Sequence, residues 1–166
     1  MTKLPNLALI STAIAYLVVV GSDLFGQLVL APVTFAEPPR SLLLYNGPVE
    51  YDSGPYWRNL TIIVTALGLV AAIANWKTSR RWWTIGFLIA FVALNAASFA
   101  FVFPEYQAIQ NAPYGDYIDP DLVARAEAQS IVAAVRSAFA IAIAVIPLHA
   151  LTLPLDGPRS TDGREA

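Results

Sequence analysis

Four long apolar runs, separated by stretches that carry nearly all of the charge, constrain this chain more than anything else in it. They lie at about residues 7–33, 60–76, 83–103 and 130–153, and about 20 helical residues suffice to cross the hydrocarbon core of a bilayer. Inside lipid each backbone N–H and C=O must find its partner within the protein, so spans of this length fold as helices. The expected fold is all-α: a polytopic membrane protein built as one four-helix transmembrane bundle over about residues 1–155. The first run is too long for the apolar part of a cleavable signal peptide and is expected to remain as helix one.

Composition agrees, with 57% of the 166 residues hydrophobic and only 13% charged. Cysteine is absent, which excludes disulfides and thiolate-ligated clusters, and one histidine cannot build a bis-histidine haem or multi-histidine zinc site. No metal or other cofactor is expected. A net charge of −2 offers no basic surface for nucleic acid.

Charge placement orients the spans. Lys77, Arg80 and Arg81 fill the short connection between helices two and three, Lys3 precedes helix one, and Arg159 and Arg164 follow helix four. By the positive-inside rule these segments face the cytoplasm, both termini included, in an inner (plasma) membrane. The remaining connections, about residues 34–59 and 104–119, hold most of the acids and are expected outside. Residues 37–57 contain four prolines, two glycines and three tyrosines, which predicts an ordered cap over the outer mouth. Asp119-Pro120-Asp121 reads as an N-cap, a proline at the first helical position and an acid in the first turn, so helix four is expected to begin at 120, before the membrane. Pro32 and Pro104 read as helix terminators and Pro147 as a kink. Residues 156–166 read as a disordered tail. Trp76, Trp82 and Trp83 read as interfacial anchors, and Trp57 with Tyr56 stands at the outer entrance to helix two.

Two charges interrupt the spans. Asp23 lies about seven residues below an outer end near Leu30, or ~10 Å, and Arg136 about six below Ser130, so both fall at one depth. Asn95, Ser98, Thr61 and Thr65 belong to the same outer half. Gln27 is one turn beyond Asp23 on its face, and Gln129 two turns beyond Arg136. The pattern predicts a funnel: Asp23, Arg136 and Asn95 as floor, Gln27, Thr65, Ser98 and Gln129 as wall, the Pro- and Tyr-rich loop as lid, and Trp57 and Tyr106 as further ligand contacts. Single polar residues in membrane helices also serve as interhelical glue. A buried ion pair is a poor route to stability, which favours a task for Asp23 and Arg136.

No nucleophile elbow, phosphate loop or metal-spaced cluster is present in the sequence. The funnel offers an anionic base, a fixed cation and hydrogen-bonding groups in a water-poor setting, which suits proton abstraction from an apolar, ring-bearing molecule. Gly21, Gly26 and Pro32 on helix one, Trp57 opening helix two, Pro104 closing helix three and Arg136 on helix four resemble the anthrone-oxygenase-like family of small membrane proteins. The resemblance implies a four-helix transmembrane bundle and, for characterised relatives, cofactor-free oxygenation of polyketide anthrones. Where that family tends to carry asparagines around the helix-three proline, this chain has Val102 and Tyr106. Where the family has a tryptophan with an asparagine or histidine before the arginine, it has Gln129 and Ala133.

The expected function is binding of a small apolar or aromatic molecule in an outward-facing polar pocket, which the protein either only holds or also oxygenates or isomerises without a metal. Asp23 would be base or orienting anion, Arg136 the electrostatic stabiliser, and Asn95 and Gln27 the positioners. The rival is a non-catalytic subunit of a larger membrane complex, or of a homo-oligomer, with membrane lipid as the common partner. A transporter is disfavoured by the aliphatic inner half.

Overall fold

The structure, a computed structural model, describes residues 3–46 and 51–155. The sequence-predicted disordered tail, residues 156–166, lies outside them. Four helices long and apolar enough to cross a membrane account for most of the described chain: α1 (Lys3–Thr34), α2 (Gly54–Ala74), α3 (Arg81–Gln110) and α4 (Pro120–Thr152). The protein is thus an all-α four-helix bundle with the features of a multi-pass membrane protein. α1 packs against α2 and α4, and α3 against α4 and α2, so the chain runs up and down around a closed ring of antiparallel neighbours. One end of the bundle carries Lys3, the α2–α3 turn and the end of α4; we call it the terminal end. The opposite end, which carries the two longer connections, is the loop end.

The middle of the bundle is held by Tyr16, Val19 and Val20 of α1, Val64 of α2, Phe87 and Phe91 of α3, and Ala140, Ile143 and Ala144 of α4. Tyr16 is fully buried with Phe87 and Phe91 edge-on at 5.2 and 5.6 Å, and its hydroxyl donates to the Ala140 carbonyl at 3.1 Å. α4 buries Leu122, Ala126, Gln129, Ala133, Ser137, Ala140 and Ala144 at spacings of three and four, a stripe of mostly small side chains that lets α1 and α3 approach. Gly68 of α2 does the same against α3, since a Cβ there would meet Leu88 Cδ2 at 2.6 Å. Large apolar side chains such as Ile14, Phe101, Ile131 and Phe139 point outward, as a lipid-facing surface requires.

A second apolar cluster, Ala31, Phe35, Leu42, Ile109, Leu122 and Ala126, sits at the loop end. It forms because the α1–α2 connection folds back. Ser41 Oγ donates to Thr34 O at 2.7 Å, Asp119 N bonds Pro38 O at 3.0 Å, and Asn46 Nδ2 donates to Gln110 O and Ala112 O, both at 3.0 Å. Residues 47–50 of this connection lie outside the described residues. Asp119 caps α4 by accepting from Asp121 N and Leu122 N.

Pro32 and Pro104 do not stop their helices. A proline lacks the N–H for the i−4 carbonyl and its ring presses on that carbonyl. The chain relieves this by widening the preceding turn into π geometry, at Gly26–Leu30 and at Ser98–Val102. Ala31 N then bonds Gly26 O, and Phe103 N bonds Ser98 O, five residues back. The helix resumes in both cases and reaches Thr34 and Gln110. Pro147 is also carried inside a continuous α4.

At the terminal end a single side chain ties three elements. Arg80 is only 5% exposed. Its Nε and Nη2 donate to Leu153 O, Nη2 to Leu151 O, and Nη1 to Asn6 Oδ1, so it closes the carbonyl end of α4 onto the start of α1. Burial lowers its pKa from the ordinary value, but a guanidinium stays charged. Sequence reasoning read this residue only as positive charge on a turn.

Candidate functional site: a charged layer between two apolar clusters

Asp23 and Arg136 approach from opposite directions along the bundle. Helical side chains lean toward the N-terminus of their own helix, so Asp23 on α1 leans toward the terminal end and Arg136 on α4 toward the loop end. They meet with Arg136 Nη1 donating to Asp23 Oδ1 at 2.5 Å, side chains 14% and 10% exposed. The hydroxyl of Ser137, the next residue, donates to Asp23 Oδ2 at 2.5 Å and lies 3.0 Å from Ala133 O. Arg136 Nε donates to Ser98 Oγ at 2.8 Å, and Ser98 in turn donates to Leu94 O at 2.7 Å. The guanidinium carbon is 5.8 Å from the centroid of the Phe103 ring.

This charged layer lies between the two apolar clusters and is flanked by both π turns. Asp23 stands three residues before Gly26, and Ser98 opens the π turn of α3. One rung nearer the loop end, buried Gln129 donates from Nε2 to Val102 O at 3.0 Å. Val102 is the last residue of the widened turn of α3, so this amide ties α4 to α3 directly at the π turn.

Of the residues predicted for the funnel, Asp23, Arg136 and Ser98 are joined directly and Gln129 stands one rung above them. Asn95 and Thr65 bond their own helices instead, Asn95 Nδ2 to Phe91 O at 2.8 Å and Thr65 Oγ1 to Thr61 O at 2.7 Å. Asn95 therefore does not bond the pair, and its carbonyl oxygen has no partner among the described residues. Membrane helices satisfy such side chains locally because the i−4 carbonyl is always within reach. Gln27 makes no side-chain hydrogen bond among the described residues. Trp57 is half-buried and packs on the Tyr16 cluster rather than on the pair, with Tyr56 edge-on at 5.4 Å. Tyr106 belongs to the cap, 3.3 Å from the Tyr45 hydroxyl and edge-on to Phe35. Beyond the predicted set stands Ser137. Its signal was available, since it lies on the three-four stripe of α4 and directly follows the arginine.

The layer is compact yet keeps unused capacity. Every buried side-chain nitrogen or oxygen among the described residues has a hydrogen-bond partner. Arg136 Nη2, the Asn95 carbonyl oxygen and the Gln27 amide have none there, so all three lie where a molecule of water size can touch them. The neighbouring stretch of α2 encloses little, because its buried residues begin only at Val64. No group of three or more metal-ligating side chains occurs among the described residues.

Compared with protein-family models, curated proteins and solved structures, the chain matches none.

Proposed function

We propose that this is an integral membrane protein whose Asp23–Arg136 layer binds a small apolar or aromatic molecule carrying a hydroxyl or carbonyl oxygen. The observation that carries the reading is the unused Nη2 of Arg136. The guanidinium is held by Asp23 and Ser98 through its other two nitrogens and still presents two donors at an accessible edge. An oxygen docked there would be stabilised by a fixed cation in a water-poor setting, and its proton could pass to Asp23. Gln27 and Asn95 supply further amide groups one turn to either side. The π turns on α1 and α3 support the same assignment, because such turns gather at functional sites. Cofactor-free oxygenation, the chemistry implied by the anthrone-oxygenase-like resemblance, is one use of such an arrangement.

Small molecules retained through purification, identified by mass spectrometry, test this. An apolar or aromatic oxygen-bearing compound should accompany the wild-type protein and be lost from Arg136→Gln. Identical small-molecule content in the two folded proteins would defeat the proposal.

A second reading, a non-catalytic subunit of a larger membrane complex, is favoured by the closed geometry of the pair itself, whose carboxylate has both oxygens satisfied by Arg136 and Ser137. Stoichiometric partner chains in material isolated from native membranes, with no retained small molecule, would establish it.

A further inference from the structure

The terminal end carries a second feature, independent of the charged layer. A shallow apolar groove runs on the outer surface between α3 and α4, lined by Trp82, Trp83, Gly86 and Ile146. Its walls are held in place. The Trp83 ring stands 4.3 Å from the His149 ring in an edge contact, and Arg81 stacks over Trp82 with the guanidinium carbon 4.9 Å from the ring centroid. Its floor is open, since a Cβ built on Gly86 would meet nothing within 4 Å. Simple interfacial anchoring by tryptophan requires neither the fixed rings nor the missing side chain.

Charge selects the occupant. The described residues of this end include Lys3, Lys77, Arg80, Arg81 and His149, while the described acids all lie in the charged layer or at the loop end. Arg80 is consumed by the α4 carbonyls and Asn6, which leaves exposed Arg81, stacked on Trp82 at the groove, and exposed Lys77 in the adjoining α2–α3 turn. Gly86 is five residues into α3 and Ile146 six residues before the end of α4, so the groove starts ~8 Å inside the helix ends, at the depth of the first acyl carbons.

We propose that this groove is a binding site for one anionic phospholipid, with an acyl chain lying over Gly86 between Trp82, Trp83 and Ile146 and the headgroup phosphate on Arg81 and Lys77. Pre-positioned aromatic walls lower the ordering cost of taking up the chain, and two exposed cations, with no carboxylate among the described residues of this end, favour an anionic headgroup over a zwitterionic one.

The test is native mass spectrometry of the detergent-solubilised full chain titrated with phosphatidylglycerol or with phosphatidylcholine of the same acyl composition. The wild-type protein should retain one phosphatidylglycerol in preference to phosphatidylcholine. Arg81→Gln and Lys77→Gln should each weaken phosphatidylglycerol binding about fivefold with little change for phosphatidylcholine, because each removes one cation near the membrane surface. Gly86→Leu, which fills open space and leaves the packing of the bundle intact, should weaken both lipids together. Equal retention of the two lipids by the wild-type protein, or unchanged phosphatidylglycerol binding by folded Gly86→Leu, would overturn the proposal.

Discussion

Ser137 donates to one oxygen of Asp23 while the residue before it, Arg136, donates to the other, each at 2.5 Å. Two consecutive residues of α4 therefore grip one carboxylate of α1, and α3 is drawn in through Ser98. Removing the carboxylate leaves a guanidinium with no counter-ion in a largely buried layer. Asp23→Ala should cost about 3–5 kcal/mol by the usual penalty for an orphaned buried charge. The double variant Asp23→Leu/Arg136→Leu should recover most of that loss. Thermal unfolding in one detergent, run as a double-mutant cycle, measures both, and equal destabilisation by the single and double variants would contradict the pairing energy.

Arg80 makes a different prediction, because its partners are backbone carbonyls whose loss unravels a helix end. Arg80→Ala should destabilise the fold by about 2 kcal/mol or more, as expected when a charged donor leaves buried acceptors unpaired. The effect should be local: amide exchange should accelerate over the last turns of α4 and the first turn of α1 while the Tyr16 cluster keeps its protection. Arg80→Lys should fail to restore it, since a single ammonium cannot span Leu151 O, Leu153 O and Asn6 together.

At the loop end, Asn46 holds the cap on the end of α3 through two carbonyls. Asn46→Ala should release the α1–α2 connection, seen as faster protease cleavage within residues 35–53, with the melting temperature of the bundle little changed. The N-cap gives an independent magnitude. Asp119→Ala should cost about 1 kcal/mol, and Asp119→Ser or Asp119→Asn should cost less, because either can accept from the same two amides.

Gly68 tests the approach of α2 to α3. A Cβ there would meet Leu88 Cδ2 at 2.6 Å and Cγ at 3.3 Å, so Gly68→Ala must displace that side chain and should cost less than Gly68→Phe, which should cost about 1–3 kcal/mol by overpacking. Thermal unfolding of the two variants separates these outcomes.

The spans were legible because lipid leaves a long apolar run no choice but helix, and the ring of neighbours follows from antiparallel spans. The depth match of Asp23 and Arg136 was legible for a related reason: helical rise converts residue counts into height, and two charges in lipid have few ways to be satisfied. What the sequence hid depends on side-chain direction and local backbone repair. Thr65 and Asn95 read as wall and floor, but the hydroxyl of one and the amide nitrogen of the other bond a carbonyl one turn back. Pro104 read as a terminator because proline blocks an ordinary α turn, and the escape through a π turn leaves no residue signature of its own. Arg80 looked like any turn cation because its carbonyl partners are seventy residues away in sequence.

A ligand of the charged layer, as proposed, would sit at the free edge of Arg136. A density map of the protein in native lipid tests this most directly. Density for a small molecule is expected within hydrogen-bonding distance of Arg136 Nη2 and should disappear in Arg136→Gln. An intact Asp23–Arg136 pair with nothing but lipid chains beside Nη2 would contradict it.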